Sequence, residues 1–129
     1  MSGSVVVVLP APALAHSVEH PYVVDGGATR AQSVRAGLAA VPADAGIVVV
    51  ADAAHPLASA ALHRAVAEAV RAGADGAVPG LPVNEVLTRV EHGAASGTVS
   101  RAGLVLTQTP QAFRADLLHP ARRGARGRR

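Results

Sequence analysis

The sequence of 129 residues contains no cysteine, no lysine and no tryptophan. Without cysteine these residues form no disulfide, thiolate nucleophile or thiolate metal site, which fits a reducing compartment, and we expect a cytoplasmic protein. Without lysine they cannot form a Schiff base or bind phosphate through an ammonium group. Fixed positive charge must therefore come from the twelve arginines.

Aromatic residues are scarce, with one tyrosine and one phenylalanine, although 50% of the chain is hydrophobic. A core must therefore be built from Val, Leu, Ile and Ala, and the length allows one domain. No apolar run approaches the roughly 20 residues that cross a membrane as a helix. We expect no membrane partner.

Positive charge is concentrated at the end of the chain. Residues 1–120 carry seven arginines and nine acidic residues, whereas residues 121–129 carry five arginines. We therefore divide the chain into a mildly acidic domain, 1–120, and an Arg-rich tail, 121–129, that is predicted to be disordered. The tail has no aromatic residue that would stack on bases, so we do not expect nucleic acid as a partner.

Two segments near the N-terminus each have two interpretations. The apolar run at 5–9 imitates a signal peptide, but it lacks a preceding positive charge and ends at Pro10, which favours a buried strand. The segment 16-HSVEH-20 matches a zinc-peptidase pattern. Because Pro21 follows at once and no third ligand is identifiable, a polar loop is favoured.

Strand and helix patterns alternate between residues 5 and 80. Further apolar runs that predict strands lie at 22–24, 47–50 and 77–78. Two helices are predicted, one over about 30–40 behind a Thr29–Gln32 capping box and one that Ser59 caps and Gly73 ends. The alternation indicates βαβ units and a parallel sheet with 47–50 at its centre.

Two loops follow predicted strands and are therefore placed at the ligand-binding edge of that sheet, 25-DGGATR-30 and 52-DAAHP-56. Asp52 is interpreted either as a ligand of Mg²⁺ or a ribose hydroxyl, or as a helix or turn cap. Gly26-Gly27 either lets a ligand approach the backbone closely or only makes a turn.

The pattern changes at Val83, and the alternation that follows predicts a β-hairpin arm over about 83–103. Arg101, beside the small residues Ala102-Gly103, suits either an anion clamp or a solvated charge on a turn. Residues 104–107 are predicted to return to the sheet, and 114–118 to begin a helix.

Five segments occur in the order and at the spacing of one enzyme family: 26-GGATRAQSV-34, 52-DAAHP-56, 81-LPVNEVLTRV-90, 98-TVSRAGL-104 and 109-TPQAF-113. Together they resemble the 2-C-methyl-D-erythritol 4-phosphate cytidylyltransferases of the non-mevalonate isoprenoid pathway. The resemblance implies an α/β fold with a partial doubly wound nucleotidyltransferase (Rossmann-like) sheet, a projecting β-arm and a homodimer formed through that arm. It also implies CTP, Mg²⁺ and methylerythritol phosphate as ligands, with the substrate phosphate attacking the α-phosphate of CTP.

The resemblance extends to the nucleotide-binding residues. Gly26, Gly27 and Ser33 look like the residues that hold the cytidine portion. Asp52, with Ala53 beside it, looks like the acidic residue that serves the ribose, the metal and the substrate hydroxyls.

The resemblance also extends to the residues that contact the substrate. Arg101 looks like the arm arginine that reaches the substrate phosphate of the neighbouring subunit, and Thr109 looks like the substrate-side threonine of the TPQ motif. The implied catalytic residues are Asp52 and Arg101.

The sequence also departs from the family, which it resembles in a form truncated at both ends, without the Gly-rich nucleotide loop and the lysines. His55 stands for an arginine of the DAARP motif, Val86 for a threonine and Ser100 for an aspartate. Because fixed cations stabilise a phosphoryl transition state, we expect impaired or absent turnover. The alternatives are a non-catalytic dimerisation or nucleotide-binding remnant, and a gene fragment.

Overall fold

The computed structural model describes residues 3–10 and 22–118. The 16–20 motif and the tail at 121–129 lie outside these ranges. The described elements, in chain order, are β1 (Val7–Leu9), β2 (Val23–Asp25), α1 (Arg30–Ala39), β3 (Ile47–Val50), α2 (Ala60–Arg71), β4 (Gly76–Ala77), β5 (Gly80–Pro82), β6 (Leu87–Glu91), β7 (Ala94–Val99), β8 (Val105–Thr107) and β9 (Gln111–Arg114). Neither α1 nor α2 is long and apolar enough to cross a membrane.

Both helices begin at the caps that the sequence predicts. At α1 the Gln32 backbone N–H donates to Thr29 Oγ1 at 3.2 Å and the Thr29 N–H donates to Gln32 Oε1 at 3.0 Å, which completes the capping box. At α2 the Leu62 N–H donates to Ser59 Oγ at 3.2 Å. Gly73 follows the end of α2 with φ of +113°, a conformation that favours glycine.

The sheet arrangement confirms one part of the prediction and corrects another. β1 and β2 pair in parallel, as predicted. In the other main sheet, however, β9 lies between β3 and β4 and runs antiparallel to both, so β3 is at the edge of that three-stranded sheet. β9 was not predicted, because its four residues, QAFR, form neither an apolar run nor a clear alternation of apolar and polar side chains.

Residues after β4 form two antiparallel ribbons. The predicted return of 104–107 to the sheet is wrong, since β8 pairs with β5 in a separate ribbon. β6 and β7 form a hairpin whose turn is His92-Gly93, both with positive φ, and their side chains are largely exposed. Arg114 belongs to β9, and the helical turn begins one residue later, at 115.

Two small clusters form the core of the described residues. The first joins α1 to β3 through Leu38, Val48 and Ala115. The second consists of Val66, Val70 and Ala112, and it joins α2 to β9. Helix α1 also lies close to β1, because a Cβ on Gly37 would be 2.8 Å from Val8 Cγ2. Helix α1 thus contacts both the β1–β2 pair and β3, which brings the loop before α1 close to the end of β3.

Candidate functional site

Asp52 lies two residues beyond the end of β3, and its carboxylate is held by the guanidinium of Arg30 in the first turn of α1. Arg30 Nη2 donates to Asp52 Oδ1 at 3.0 Å and to Oδ2 at 3.1 Å, and Nε donates to Oδ2 at 3.3 Å. Since the two side chains are 58% and 32% exposed, solvent screens the pair and its contribution to stability is below about 1 kcal/mol. Its effect is to join the two loops that were predicted to meet at the edge of the sheet.

The structure also separates the two interpretations of Asp52. The residue does take part in a turn, but through its backbone carbonyl, which accepts a hydrogen bond from the His55 N–H at 3.0 Å. The carboxylate is not used as a cap and points to Arg30 instead. Sequence reasoning did not single out Arg30, because an arginine after a helix cap carries no distinctive spacing.

Thr109 brings a third motif to the same place. Thr109 is buried, with 5% of the residue exposed. It lies 57 positions along the chain from Asp52, but the two residues are in contact. The Asp52 backbone N–H donates to Thr109 Oγ1 at 3.4 Å, and Oγ1 lies 3.2 Å from His55 Nδ1. Arg30, Asp52, Thr109 and His55 therefore form one connected group, which we call the Asp52 network.

A cavity of about 540 Å³ opens beside this network. That volume is within the range of small-molecule sites. His55, Gln108 and Thr109 supply its polar lining. Most of the remaining lining is apolar and comes from the loop after Asp52, the start of α2 and β5: Ala54, Pro56, Leu57, Ala58, Leu62, Pro79, Gly80 and Leu81.

The paired glycines form a turn that is closed by Ser33. The Gly27 N–H donates to Ser33 Oγ at 3.1 Å, and Ser33 Oγ donates to the Gly27 carbonyl at 3.4 Å. A Cβ on Gly27 would lie 2.2 Å from Gln32 Cβ, and one on Gly26 would lie 3.0 Å from Ser33 Oγ. Gly26 and Gly27 therefore pack closely against the start of α1, while Gly27 itself remains exposed.

Ala53 and Arg101 complete the predicted set. Ala53, next to Asp52, is exposed and has only a methyl side chain, so it leaves space beside the carboxylate. Arg101 lies elsewhere, at the base of the hairpin, where Nη1 donates to the carbonyl of Asn84. The structure thus brings Asp52, Ala53 and Thr109 together with the Gly26–Gly27 loop, and it leaves Arg101 of the same chain outside the Asp52 network.

The fit of Mg²⁺ can be tested on the donor set. Within 3–10 and 22–118, no group of three His, Asp or Glu side chains is placed to hold a metal. Protein Mg²⁺ sites often use one or two carboxylates together with substrate phosphates and water. Both carboxylate oxygens of Asp52 accept hydrogen bonds from Arg30, so a Mg²⁺ ion at this position would share these oxygens with the guanidinium or displace it.

These features define an α/β protein with a candidate ligand site beyond the end of a strand, the position at which such folds bind ligands. Comparison with known proteins gives the family. The pattern of the IspD family, described as 2-C-methyl-D-erythritol 4-phosphate cytidylyltransferase, matches residues 4–128. The chain belongs to this family.

Relatives and solved structures agree with this assignment. The chain is 50% identical over 100 residues to the 2-C-methyl-D-erythritol 4-phosphate cytidylyltransferase of Nocardia farcinica, covering 77% of this chain and 43% of that protein. It is 54% identical over 92 residues to a bifunctional enzyme IspD/IspF of Clavibacter michiganensis, covering 70% and 22% respectively. The crystal structure of the cytidylyltransferase from Thermus thermophilus matches with a TM-score of 0.77 and 36% identity, covering 94% of this chain and 58% of that one. The chain therefore spans less than half the length of these two curated relatives.

The glycine turn yields a prediction about stability. Gly27→Ala should lower the free energy of unfolding by about 1–3 kcal/mol, because the new methyl group displaces Gln32 and breaks the capping box. Urea unfolding measures this difference. Gly46→Ala is the matched control, since a Cβ there meets nothing within 4 Å, and it should change stability by less than about 0.5 kcal/mol. Equal stability of the two variants would contradict the role given to Gly27.

Proposed function

We propose that this chain is located in the cytoplasm and carries the elements of a methylerythritol phosphate cytidylyltransferase that bind CTP and 2-C-methyl-D-erythritol 4-phosphate, with impaired or absent turnover. The observation that carries the proposal is the Asp52 network. Three segments that are distant in sequence, GGATR, DAAHP and TPQ, meet there through Arg30, Asp52 and Thr109, beside a cavity of small-molecule size. The similarity to 2-C-methyl-D-erythritol 4-phosphate cytidylyltransferases supports the choice of substrates.

In this proposal each part of the site has a separate role. The loop of Gly26, Gly27 and Ser33 receives the cytidine portion of CTP, and Asp52 with Ala53 receives the ribose. Thr109 contacts methylerythritol phosphate in the cavity. Arg101 reaches the substrate phosphate of the neighbouring subunit, which agrees with its position at the base of the hairpin, outside its own chain's network.

The reaction is a phosphoryl transfer. An oxygen of the substrate phosphate forms a bond to the α-phosphorus of CTP, the bond from that phosphorus to the bridging oxygen breaks, and pyrophosphate leaves. Mg²⁺ enters bound to the nucleotide, as part of that substrate. The residues named above bind and align the two reactants, and alignment is a large part of catalysis in this class of reaction.

A second candidate, a nucleotide-binding module without turnover, is favoured by the charge inventory. The 129 residues have no lysine, and the acidic group at the site is already paired with Arg30. Arginine at the site is thus used to neutralise Asp52 rather than a leaving pyrophosphate. We therefore propose that the 129-residue chain by itself retains CTP binding but catalyses little transfer.

The nucleotide part of the proposal is tested by calorimetry with CTP and Mg²⁺. Asp52→Ala should weaken CTP binding about tenfold, because a charge-assisted hydrogen bond to the ribose is worth about 1.5 kcal/mol. Asp44→Ala is the control, since Asp44 is exposed in the turn before β3 and should leave binding unchanged. With methylerythritol phosphate added, pyrophosphate release should match a blank without protein.

Each part of that experiment can fail separately. Absence of CTP binding by a folded chain would contradict the proposed nucleotide site. Rapid pyrophosphate release would contradict the impaired turnover. Failure of the chain to fold at all would favour the gene-fragment alternative.

The dimer is proposed from the exposed apolar residues of the hairpin. Val86 and Val90 are 75% and 63% exposed, whereas Val83, at the start of the predicted arm, is 9% exposed and already buried within the chain. Val86, directly before β6, and Val90, on β6, add exposed apolar surface to this arm, and a partner can cover such surface. We propose that a second copy covers them, which also carries Arg101 to the neighbouring site.

Light scattering at about 50 μM protein tests the dimer. The chain should have the mass of a dimer, and the double variant Val86→Asp, Val90→Asp should be a monomer, because two carboxylates would have to be buried in the interface. Val5→Asp is the control, since Val5 is 66% exposed but lies outside the hairpin. A monomeric wild type, or a double variant that stays dimeric, would contradict the proposal.

A further inference from the structure

His55 is a residue of the site to which the proposed function assigns no task. Its Nδ1 lies 3.2 Å from Thr109 Oγ1, and its side chain lines the cavity. We propose that His55 is a positioning residue, whose Nδ1–H donates to Thr109 Oγ1 and so makes the threonine hydroxyl a hydrogen-bond donor to the phosphorylated substrate. This inference rests on the proposed function, since it assumes that methylerythritol phosphate occupies the cavity.

The role of His55 depends on the hydrogen-bonding capacity of the Thr109 hydroxyl group. A threonine hydroxyl has one donor and accepts two hydrogen bonds. One acceptor position of Thr109 is used by the Asp52 N–H, at 3.4 Å. If His55 donates through Nδ1, the second acceptor position is used as well, and the hydroxyl hydrogen is left for a ligand.

The tautomer of His55 without a hydrogen on Nδ1 would leave the Thr109 hydroxyl unable to donate to a ligand. An imidazole without a hydrogen on Nδ1 accepts the hydroxyl hydrogen of Thr109, which then has only an acceptor position left for a ligand. The oxygens of an ionised phosphate group are acceptors and need donors. A phosphorylated substrate therefore requires the arrangement in which Nδ1 carries the hydrogen.

Because Thr109 is buried, the choice between the two His55 tautomers determines which hydrogen bonds its hydroxyl group can make. Thr109 is 5% exposed, so bulk water does not freely replace its partners, and an unsatisfied hydroxyl there is costly. His55 lies on the exposed loop after Asp52, where its ring reaches Thr109 from the cavity side. The histidine thus controls a buried hydroxyl without itself belonging to the core.

The second described histidine next to this region provides a natural comparison. His63, on α2, also uses Nδ1 for a hydrogen bond, to the carbonyl of Ser59 at 3.0 Å. Its side chain does not line the cavity. His63 therefore matches His55 in residue type and in the bonded atom but has no path to the ligand.

The experiment uses the full 129-residue chain, with ¹⁵N spectra of the histidine rings and calorimetric titration with methylerythritol phosphate. We expect a protonated Nδ1 on His55. We expect His55→Ala to weaken methylerythritol phosphate binding about three- to tenfold, the effect of one hydrogen bond. His55→Asn, whose side-chain amide places an N–H near the position of Nδ1, should restore binding to within about twofold.

Controls separate positioning from a general structural effect. His63→Asn should bind methylerythritol phosphate as the wild type does, because the His63 side chain does not line the cavity. The Asp52 amide signal of the ligand-free chain should move in His55→Ala and return in His55→Asn, because that amide donates to the same hydroxyl. If His55→Ala does not fold, Thr109→Val and Thr109→Ser replace it, and binding should be lost in the first and kept in the second.

Failure of this inference differs from failure of the proposed function. An unprotonated Nδ1, or unchanged methylerythritol phosphate binding in a folded His55→Ala chain, overturns the role of His55. If the wild type binds no methylerythritol phosphate, the proposed substrate is wrong, and the ring and Asp52 amide signals still decide whether His55 donates to Thr109.

Discussion

The position of Asp52 between two partners is the constraint on which the site depends. Arg30 holds its carboxylate from α1, and Thr109 accepts from its backbone N–H. Neither contact is a large source of stability, because the ion pair is exposed and the hydrogen bond is long. What fixes the geometry is the packing of Leu38 against Val48 and Ala115, which holds α1 on β3 so that Arg30 can reach the carboxylate.

This arrangement explains how a chain without lysine organises charge at the proposed nucleotide site. Arginine offers a planar pair of donors that matches a carboxylate, so Arg30 both neutralises Asp52 and sets its orientation. Within the described ranges no group of three His, Asp or Glu side chains is placed to hold a metal, and the Asp52 carboxylate already has Arg30 as a partner. In the proposed function these residues therefore bind and orient ligands, and the transfer step needs additional positive charge.

Much of the local structure follows from short-range signals. The Thr29–Gln32 box, the Ser59 cap and Gly73 each act within four residues, so the bounds of both helices were predictable to within a residue or two. Apolar runs identified β1 and β3 for the same reason. Family motifs then indicated Asp52, Ala53 and Thr109 as site residues, and the Asp52 N–H donates to Thr109 Oγ1.

The parts that could not be predicted depend on contacts between distant segments. β9 is a strand because β3 and β4 lie on either side of it, and its Ala112 is fully buried under α2, although QAFR has no strand pattern of its own. The pairing of Arg30 with Asp52 and of His55 with Thr109 likewise exists only after the sheet has formed. At Gly27 a turn was predictable from the local sequence, but the close contact with Gln32 was not.

The central claim of the proposed function is that Asp52 with Ala53 and the adjacent glycine loop form the nucleotide site. It is tested most directly by mapping amide chemical shifts of the ¹⁵N-labelled chain during titration with CTP. The account predicts that the largest changes fall on Gly26, Gly27, Ser33, Asp52 and Ala53, which two separate segments contribute. Changes confined to other parts of the chain, or no change at millimolar CTP, would contradict it.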